Sequence, residues 1–233
     1  MTFTSINPLD LAPPDRHALM LSIIIPRPIG LISTISLDGI PNLAPFSYFQ
    51  SVSSVPPLIL FCPNRNRKGK AKHSLLNAKS QGEFVAHTVT EDIAETINFA
   101  SGEFPDGVNE FEETGLTPTP SDLVKPFRVA ECPVAMECRV KELIEFSEGP
   151  LGGSVVIGEV VRIHIREDLL GTADLPSLTA AFYDGRYRPI SRLGGPAYGI
   201  LEQSFDMPRP TMTEDGRYVD GDSYRITRAS KHK

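Results

Sequence analysis

The segment over residues 27–61 constrains the fold more than any other part of the chain, because it predicts three consecutive β-strands. Its first part, RPIGLISTISLDG, is rich in β-branched residues and ends at Asp38-Gly39, a pair typical of tight hairpin turns. The return run covers residues 42–54, and the apolar run 58–61 after Pro56-Pro57 predicts a third strand. We therefore expect antiparallel strands at the centre of the fold.

The rest of the chain predicts further short helices and strands. A short helix is expected after Pro13-Pro14, ending before Pro26, and another over residues 71–78, closed by Gly82. Strands are expected over 83–89, 128–140 and 154–165, and Gly158 in the last of these predicts a bend or a close approach. In the strand over 128–140, residues 134, 136, 138 and 140 are expected to face the core, and residues 135, 137 and 139 to face water. A helix over 91–100 is expected, with Thr90 as its cap.

Length and charge limit the class of protein. With 233 residues, the chain predicts an N-terminal arm and short helix over 1–24, one barrel domain over 25–200, and a C-terminal tail over 201–233. A net charge of −6 argues against a nucleic-acid partner. Three cysteines in no metal-binding pattern predict buried thiols in a reducing compartment, and no leader or membrane-spanning run is recognised. We expect a cytoplasmic protein with no bound metal.

Two segments are candidates for binding a nucleotide-like ligand. Serines at positions 47, 51, 53 and 54 alternate with aromatic and aliphatic residues, a mixture that suits both polar oxygens and a flat ring. An ordinary strand with a solvated serine face explains the same pattern. Basic residues cluster over 64–72, which suits one small phosphate, and a solvated loop is the alternative.

Other polar segments carry weaker signals. The acidic stretch over 102–114 is interpreted as a solvated loop with a short helix around Phe111, and not as a pair of catalytic carboxylates. His164, at the end of the strand over 154–165, is either a catalytic candidate or a strand histidine satisfied by a backbone carbonyl. The chain has no G-x-G-x-x-G, Walker, G-x-S-x-G or H-E-x-x-H motif.

The run PRPIGLISTISLDGIPNLAPFSYFQSVSSVPP, together with GEVVRIHI and RLGG, resembles the flavin reductase-like proteins of the FMN-binding split-barrel superfamily. The resemblance extends over about residues 25–198. It implies a mainly β fold, an antiparallel split β-barrel with short peripheral helices, which forms a homodimer. It also implies an FMN cofactor, with FAD as an alternative, and NADH or NADPH as a transient electron donor.

The resemblance assigns roles to particular residues. Cofactor contacts are expected from Arg27, Ser47, Tyr48, Phe49, Ser51, Val52, Ser53, Lys72, Ser74 and Arg192. Lys72 and Ser74 would hold the flavin phosphate, with Arg27 as a further candidate, and His73 stands where the family has an acidic residue. Arg192 would lie near the flavin ring or pair with a carboxylate across the dimer. His164 would lie near the flavin ring or the nicotinamide.

The resulting prediction is an FMN-binding oxidoreductase that passes hydride from NAD(P)H to flavin, with an oxygenase as a partner. A flavin-binding electron-transfer protein without its own NAD(P)H activity is the main alternative. A barrel that binds another ligand, or only a partner protein, is the third.

Overall fold

The computed structural model describes residues 1–170 and 178–202, together with the backbone of residues 205–206 and 227–228. Its helices are α1 (Pro13–Ile23), α2 (His73–Gln81), α3 (Ala94–Phe99), α4 (Glu110–Thr114) and α5 (Thr179–Tyr183), with 3-10 turns at Pro8–Asp10, Glu91–Ile93 and Glu167–Leu169. Among the described residues, no helix has the length and apolar character needed to cross a membrane.

The strands are short except for one long hairpin. They are β1 (Arg27–Pro28), β2 (Gly30–Ile35), β3 (Pro41–Phe46), β4 (Phe49–Ser54), β5 (Pro57–Phe61), β6 (Glu83–Thr88), β7 (Pro118–Thr119), β8 (Arg128–Val129), β9 (Val134–Glu145), β10 (Ser154–Ile165), β11 (Ile190–Arg192), β12 (Tyr198–Ile200), β13 (Phe205–Asp206) and β14 (Thr227–Arg228).

Seven of these strands form one antiparallel sheet in the order β3-β2-β6-β9-β10-β5-β4. The predicted hairpin is confirmed: Ile35 pairs with Pro41, and Gly39 takes a positive φ of 82° in the turn between β2 and β3. A second, three-stranded sheet has the order β1-β11-β12. The mainly β character expected from the sequence is therefore confirmed.

The seven-stranded sheet must roll up because its two edge strands are neighbours in sequence. β3 and β4 lie at opposite edges, yet only Ser47 and Tyr48 separate Phe46 from Phe49. Three residue steps reach at most about 11 Å, so the edges meet at this corner. The ring of Phe49, on β4, packs directly against Gly30 of β2, because a Cβ added to this glycine would lie only 2.5 Å from Phe49 Cδ2.

A cluster of aromatic rings fills the rolled sheet. The ring centroids of Phe46 and Phe61 are 5.2 Å apart, and those of Phe61 and Phe84 are 5.0 Å apart. Phe61 and Phe84 are fully buried. The ring of Phe84 packs directly against Gly158, because a Cβ added to this glycine would lie only 2.5 Å from Phe84 Cζ. The close approach predicted at Gly158 is confirmed, and the register of β10 against β9 shifts at the same residue.

Three local predictions were wrong. The return run over 42–54 is two strands on opposite edges of the sheet, because the corner at Ser47-Tyr48 breaks it. The outer face of β9 is not uniformly wet: Ala135 is buried and Glu137 has no exposed surface. Thr90 precedes the turn at Glu91–Ile93, but its side chain makes no capping hydrogen bond.

Contacts group the chain into two compact units, Met1–Ile200 and Leu201–Lys233. In the first unit, α1 ends at Ile23 before Pro26, as the sequence predicted. In the second unit, Phe205–Asp206 pairs with Thr227–Arg228. The predicted tail lies mostly outside the described residues, and the division into arm, barrel and tail stays a prediction.

Candidate functional site

A cleft of about 300 Å³ lies where the N-terminus of α2 meets β3 and the segment that joins α3 to α4. This volume is at the lower end of the range for small-molecule sites. Its lining combines basic, amide and apolar groups, and consists of Asn42, Ala44, Asn66, Lys68, Lys70, Ala71, Lys72, His73, Ser74, Ala100, Gly102, Glu103, Phe104, Pro105 and Glu110.

One end of the cleft is built to receive an anion. Helix α2 begins at His73, and Lys72 precedes it without a side-chain cap. Among the described residues, the backbone N–H groups of His73 and Ser74 have no hydrogen-bond acceptor, and the ammonium group of Lys72 has no partner. Free N–H groups and the helix dipole favour negative charge at this position.

Buried hydrogen bonds fix this helix end against the β2-β3 hairpin. The Asn42 amide donates to Ser74 Oγ at 3.0 Å and to Thr34 Oγ1 at 3.1 Å. The Asn77 amide also donates to Thr34 Oγ1 at 3.1 Å. Because Ser74 Oγ serves as the acceptor from Asn42, its own hydroxyl hydrogen remains able to donate to a ligand. Ser74 is therefore positioned by residues that the sequence reasoning did not select.

The opposite wall comes from the acidic stretch. The short helix predicted around Phe111 is confirmed as α4, and Glu103, Asp106, Glu112 and Glu113 are exposed, but the solvated interpretation is wrong for Glu110. The ring of Phe104 packs edge-on against Phe99 with centroids 5.7 Å apart, and Glu110 is only 4% exposed. Glu110 Oε2 accepts a hydrogen bond from Leu43 N. Burial raises the pKa of Glu110, although hydrogen bonds from backbone N–H groups oppose this. Leu43 and Glu110 are 67 residues apart in the sequence, so the acidic composition of the stretch could not reveal this hydrogen bond.

Asp106 in the same segment contacts two of the basic groups of the cleft. Its Oδ1 lies 2.6 Å from Lys70 Nζ and 2.6 Å from His73 Nε2. These hydrogen bonds, first from Lys70 and then from His73, hold the pKa of Asp106 below its ordinary value. A carboxylate of this chain is thus already in contact with two of the basic residues that line the cleft.

The predicted residues of the serine-rich run do not line this cleft. Ser47 and Tyr48 form the corner after β3, and burial raises the pKa of Tyr48. Phe49 packs into the core against Gly30, whereas Ser51 and Val52 are exposed on the edge strand β4. Ser53 Oγ accepts a hydrogen bond from Val55 N. Of the ten predicted cofactor residues, Lys72 and Ser74 are brought together here.

Arg27 is a structural anchor in this molecule. It is 4% exposed, and its guanidinium donates to the backbone carbonyls of Leu21, Ile24 and Leu193 and to Ser47 Oγ. It thereby ties the end of α1 to the corner after β3 and to the segment after β11. With these donors engaged, Arg27 could bind a phosphate only by giving up some of these hydrogen bonds, and its phosphate role stays a prediction.

Arg192 is partly exposed and is also held by its own chain. Its guanidinium donates to the carbonyls of Gly195 and Pro196, and its Cζ lies 4.3 Å from the centroid of the Tyr198 ring. No carboxylate is among these contacts. Its role toward a ligand or a partner subunit stays a prediction.

His164 belongs to a separate cluster. Its Nε2 lies 2.6 Å from Glu137 Oε1, and Glu137 also accepts hydrogen bonds from the N–H groups of Asp122 and Leu123. Burial alone would raise the pKa of Glu137, but these hydrogen bonds outweigh it and hold the pKa below its ordinary value. The possible ligand atoms of Asp122, Glu137 and His164 lie within 4.8 Å of one another. Because Glu137 on β9 already makes three hydrogen bonds, we interpret the cluster as structural. These hydrogen bonds join β9 to His164 on β10 and to the loop before β8.

The chain is similar to known proteins over most of its length. A family model described as the flavin reductase like domain matches residues 20–191. An uncharacterized protein of Halalkalibacterium halodurans is 33% identical over 219 residues, which are 90% of this chain and 98% of the relative. An uncharacterized protein of Aquifex aeolicus is 36% identical over 78% of this chain and 88% of the relative.

Solved structures show the same fold. Nitrilotriacetate monooxygenase component B from Bacillus cereus is 32% identical with a TM-score of 0.80, covering 88% of this chain and 99% of that one. The 2-nitrobenzoate 2-nitroreductase of Pseudomonas fluorescens is 29% identical with a TM-score of 0.75, covering 91% of this chain and 97% of that one.

Proposed function

Because this chain belongs to the flavin reductase-like family and has its split-barrel fold, we propose that it is an NAD(P)H-dependent flavin reductase that binds FMN in the cleft. Family membership itself supports a flavoprotein oxidoreductase. The observation that carries the finer proposal is the basic cleft at the free N-terminus of α2, where Lys72 and Ser74 lie side by side.

The residues at this end fit a terminal phosphate group. The N–H groups of His73 and Ser74 and the Ser74 hydroxyl can donate to phosphate oxygens, and the ammonium groups of Lys68 and Lys72 supply charge. A helix N-terminus alone contributes about 0.3–1 kcal/mol toward an anion, so the charged side chains are needed as well. We propose FMN as the flavin, with its phosphate at this helix end.

The remainder of the flavin would extend from α2 along β3 toward the corner after it. Asn42 and Ala44 line the cleft from β3, and Ser47 and Tyr48 follow that strand directly. We propose Ser47 and Tyr48 as contacts to the ribityl chain or the ring. Ser51, Val52 and Ser53 on β4, together with Phe49 behind them, stay predictions for the same role.

The protein's part in the reaction is to place the ligand and to balance its charge. A flavin held by these residues would supply the redox chemistry of hydride transfer from reduced nicotinamide and of electron transfer to free flavin, oxygen or another acceptor. Arg192, held by two carbonyls, would offset negative charge near the ring. His164, held by Glu137, stays a prediction for orienting the nicotinamide.

Two features support the proposed partners. The apolar side chains of Met20, Ile23, Ile24 and Ile25 are between 42% and 62% exposed at the end of α1, which suits a homodimer contact. The Bacillus cereus neighbour is a component of a monooxygenase, so we propose that this chain also supplies reduced flavin to an oxygenase. A cytoplasmic location is part of the same proposal.

Anaerobic mixing of the FMN-loaded protein with NADH, and separately with NADPH, tests the reductase proposal. We expect one nucleotide to bleach the flavin absorbance far faster than it bleaches free FMN. A flavin that binds but stays oxidised with both nucleotides would contradict the reductase activity and favour an electron-transfer protein. FMN reduced no faster than in buffer would contradict it equally.

A further inference from the structure

Contacts of Phe104, Asp106 and Glu103 hold the segment that joins α3 to α4 beside the basic end of the cleft. Phe104 packs edge-on against Phe99 of α3, and Asp106 contacts Lys70 and His73 through one carboxylate oxygen. Glu103, between Phe99 and Asp106, accepts a hydrogen bond from the Asn66 amide at 3.3 Å. This segment therefore places the carboxylate of Asp106 against Lys70 and His73, which line the basic end of the cleft.

Asp106 engages some of the basic side chains of the cleft and leaves others free. Lys70 and His73 contact its Oδ1, whereas no described residue pairs with the ammonium groups of Lys68 and Lys72. His73 is the first residue of α2, so the carboxylate of Asp106 lies beside the same helix end as the free N–H groups. An anionic ligand at this helix end can use Lys68 and Lys72 directly, but it reaches Lys70 or the His73 side chain only by sharing it with Asp106 or by displacing Asp106.

We propose that Asp106 is an internal anion that competes with the flavin phosphate, so that FMN exchanges from this protein as a substrate and is not held as a permanent group. The inference rests on the proposed function and deepens it. The side chain of Asp106 is 72% exposed and that of Lys70 is 55% exposed. Exposed ion pairs are weak, so the carboxylate can be displaced, but each displacement reduces the net gain from binding a phosphate.

The Asp106→Asn substitution tests this inference with a clear sign. It removes the negative charge but keeps the size of the side chain, and the position is exposed, so folding should be unaffected. We expect FMN to bind about five- to tenfold more tightly at low salt, the scale of one or two exposed ion pairs. Riboflavin, which lacks the phosphate, should bind equally to both forms. FMN should also remain on the variant through a desalting column that strips the wild type.

Two matched variants distinguish the effect of the Asp106 contacts from the effect of removing any negative charge. Glu103→Gln removes one charge from the same segment, but its carboxylate contacts an amide and no cation. Glu95→Gln removes one exposed charge on α3, outside the cleft. FMN affinity should change less with Glu103→Gln than with Asp106→Asn, and not at all with Glu95→Gln.

The possible results have distinct meanings. Unchanged or weaker FMN binding by Asp106→Asn would overturn the competition, and weaker binding would show that Asp106 orients Lys70 and His73 for the ligand. Equal tightening for riboflavin, or by Glu103→Gln, would overturn it as well. If FMN binds to neither the wild type nor any variant, the proposed function itself fails, and this inference fails with it.

Discussion

Single residues show that a charged side chain in this fold can be structural even where the sequence pattern resembles a ligand site. The resemblance to the flavin reductase-like family made Arg27 a further candidate for binding the flavin phosphate. In the structure, three backbone carbonyls and a hydroxyl receive its hydrogen bonds. Sequence cannot reveal such a role, because Leu193 is 166 residues away along the chain.

We predict that Arg27→Met destabilises the protein without weakening FMN binding. The variant leaves three part-buried backbone carbonyls without this donor, and an unsatisfied buried group costs about 1–3 kcal/mol. Urea unfolding should show a free energy of unfolding about 2–4 kcal/mol lower than that of the wild type. A loss of FMN affinity in folded Arg27→Met, with stability unchanged, would restore the phosphate role.

His87 is a second buried residue with a measurable consequence. Its Nδ1 lies 2.9 Å from Leu31 O, and its Nε2 accepts a hydrogen bond from Val129 N at 3.0 Å. Burial is the main cause that lowers the pKa of His87 from 6.5 to about 4, opposed by the bond to Leu31 and assisted by nearby Arg128 and His164. The imidazole therefore stays neutral in the fold well below the pH at which it protonates in the unfolded chain.

We predict that His87 makes the fold lose stability as the pH falls from 6.5 to 4. Because the folded pKa is depressed, its contribution is complete above pH 6.5 and disappears toward the folded pKa. The loss should reach about 3 kcal/mol in the free energy of unfolding. His87→Phe should flatten this part of the pH profile, whereas His17→Gln, at an exposed position on α1, should not. A wild-type profile that is flat over this range would contradict the prediction.

At the scale of elements, the glycine turn signals predicted the structure correctly, whereas the Thr90 cap and the burial that depends on long-range packing were not predicted. Asp38-Gly39 predicted the β2-β3 hairpin, and Gly82 ends α2 with a φ of 70°. These features depend on a few neighbouring residues. The burial of Glu137 depends instead on a loop that donates the N–H groups of Asp122 and Leu123. Alternation along β9 therefore predicted the strand but placed Glu137 on the wrong kind of surface.

Strand β10 offers a test of packing at this scale. We predict that Gly158→Ala lowers the free energy of unfolding by about 1–3 kcal/mol, because the new methyl group would overlap the buried ring of Phe84. Gly153→Ala, one residue before the same strand, is the control, since the nearest atom to its Cβ would be Phe146 Cδ2 at 3.8 Å. Equal melting temperatures for both variants would contradict this account of the core.

For the whole molecule, the site arises where distant segments meet. The resemblance in sequence was enough to identify the family and its fold, and it selected Lys72 and Ser74. It did not reveal that Asn42 fixes Ser74, that Glu110 lines the opposite wall, or that Asp106 contacts Lys70. Those contacts depend on how α2, β3 and the segment before α4 pack together, and no local pattern encodes that arrangement.

The most direct test of the central claim is an FMN titration, followed by flavin absorbance, of the wild type and the double variant Lys72→Ala, Ser74→Ala. We predict that the double variant binds FMN at least about tenfold more weakly, because charge-assisted hydrogen bonds to the phosphate are lost. Riboflavin binding should change little. Lys141→Ala, on β9 outside the cleft, is the matched control and should bind FMN like the wild type. Equal FMN affinity in the wild type and the double variant would contradict the claim that this cleft holds the flavin phosphate.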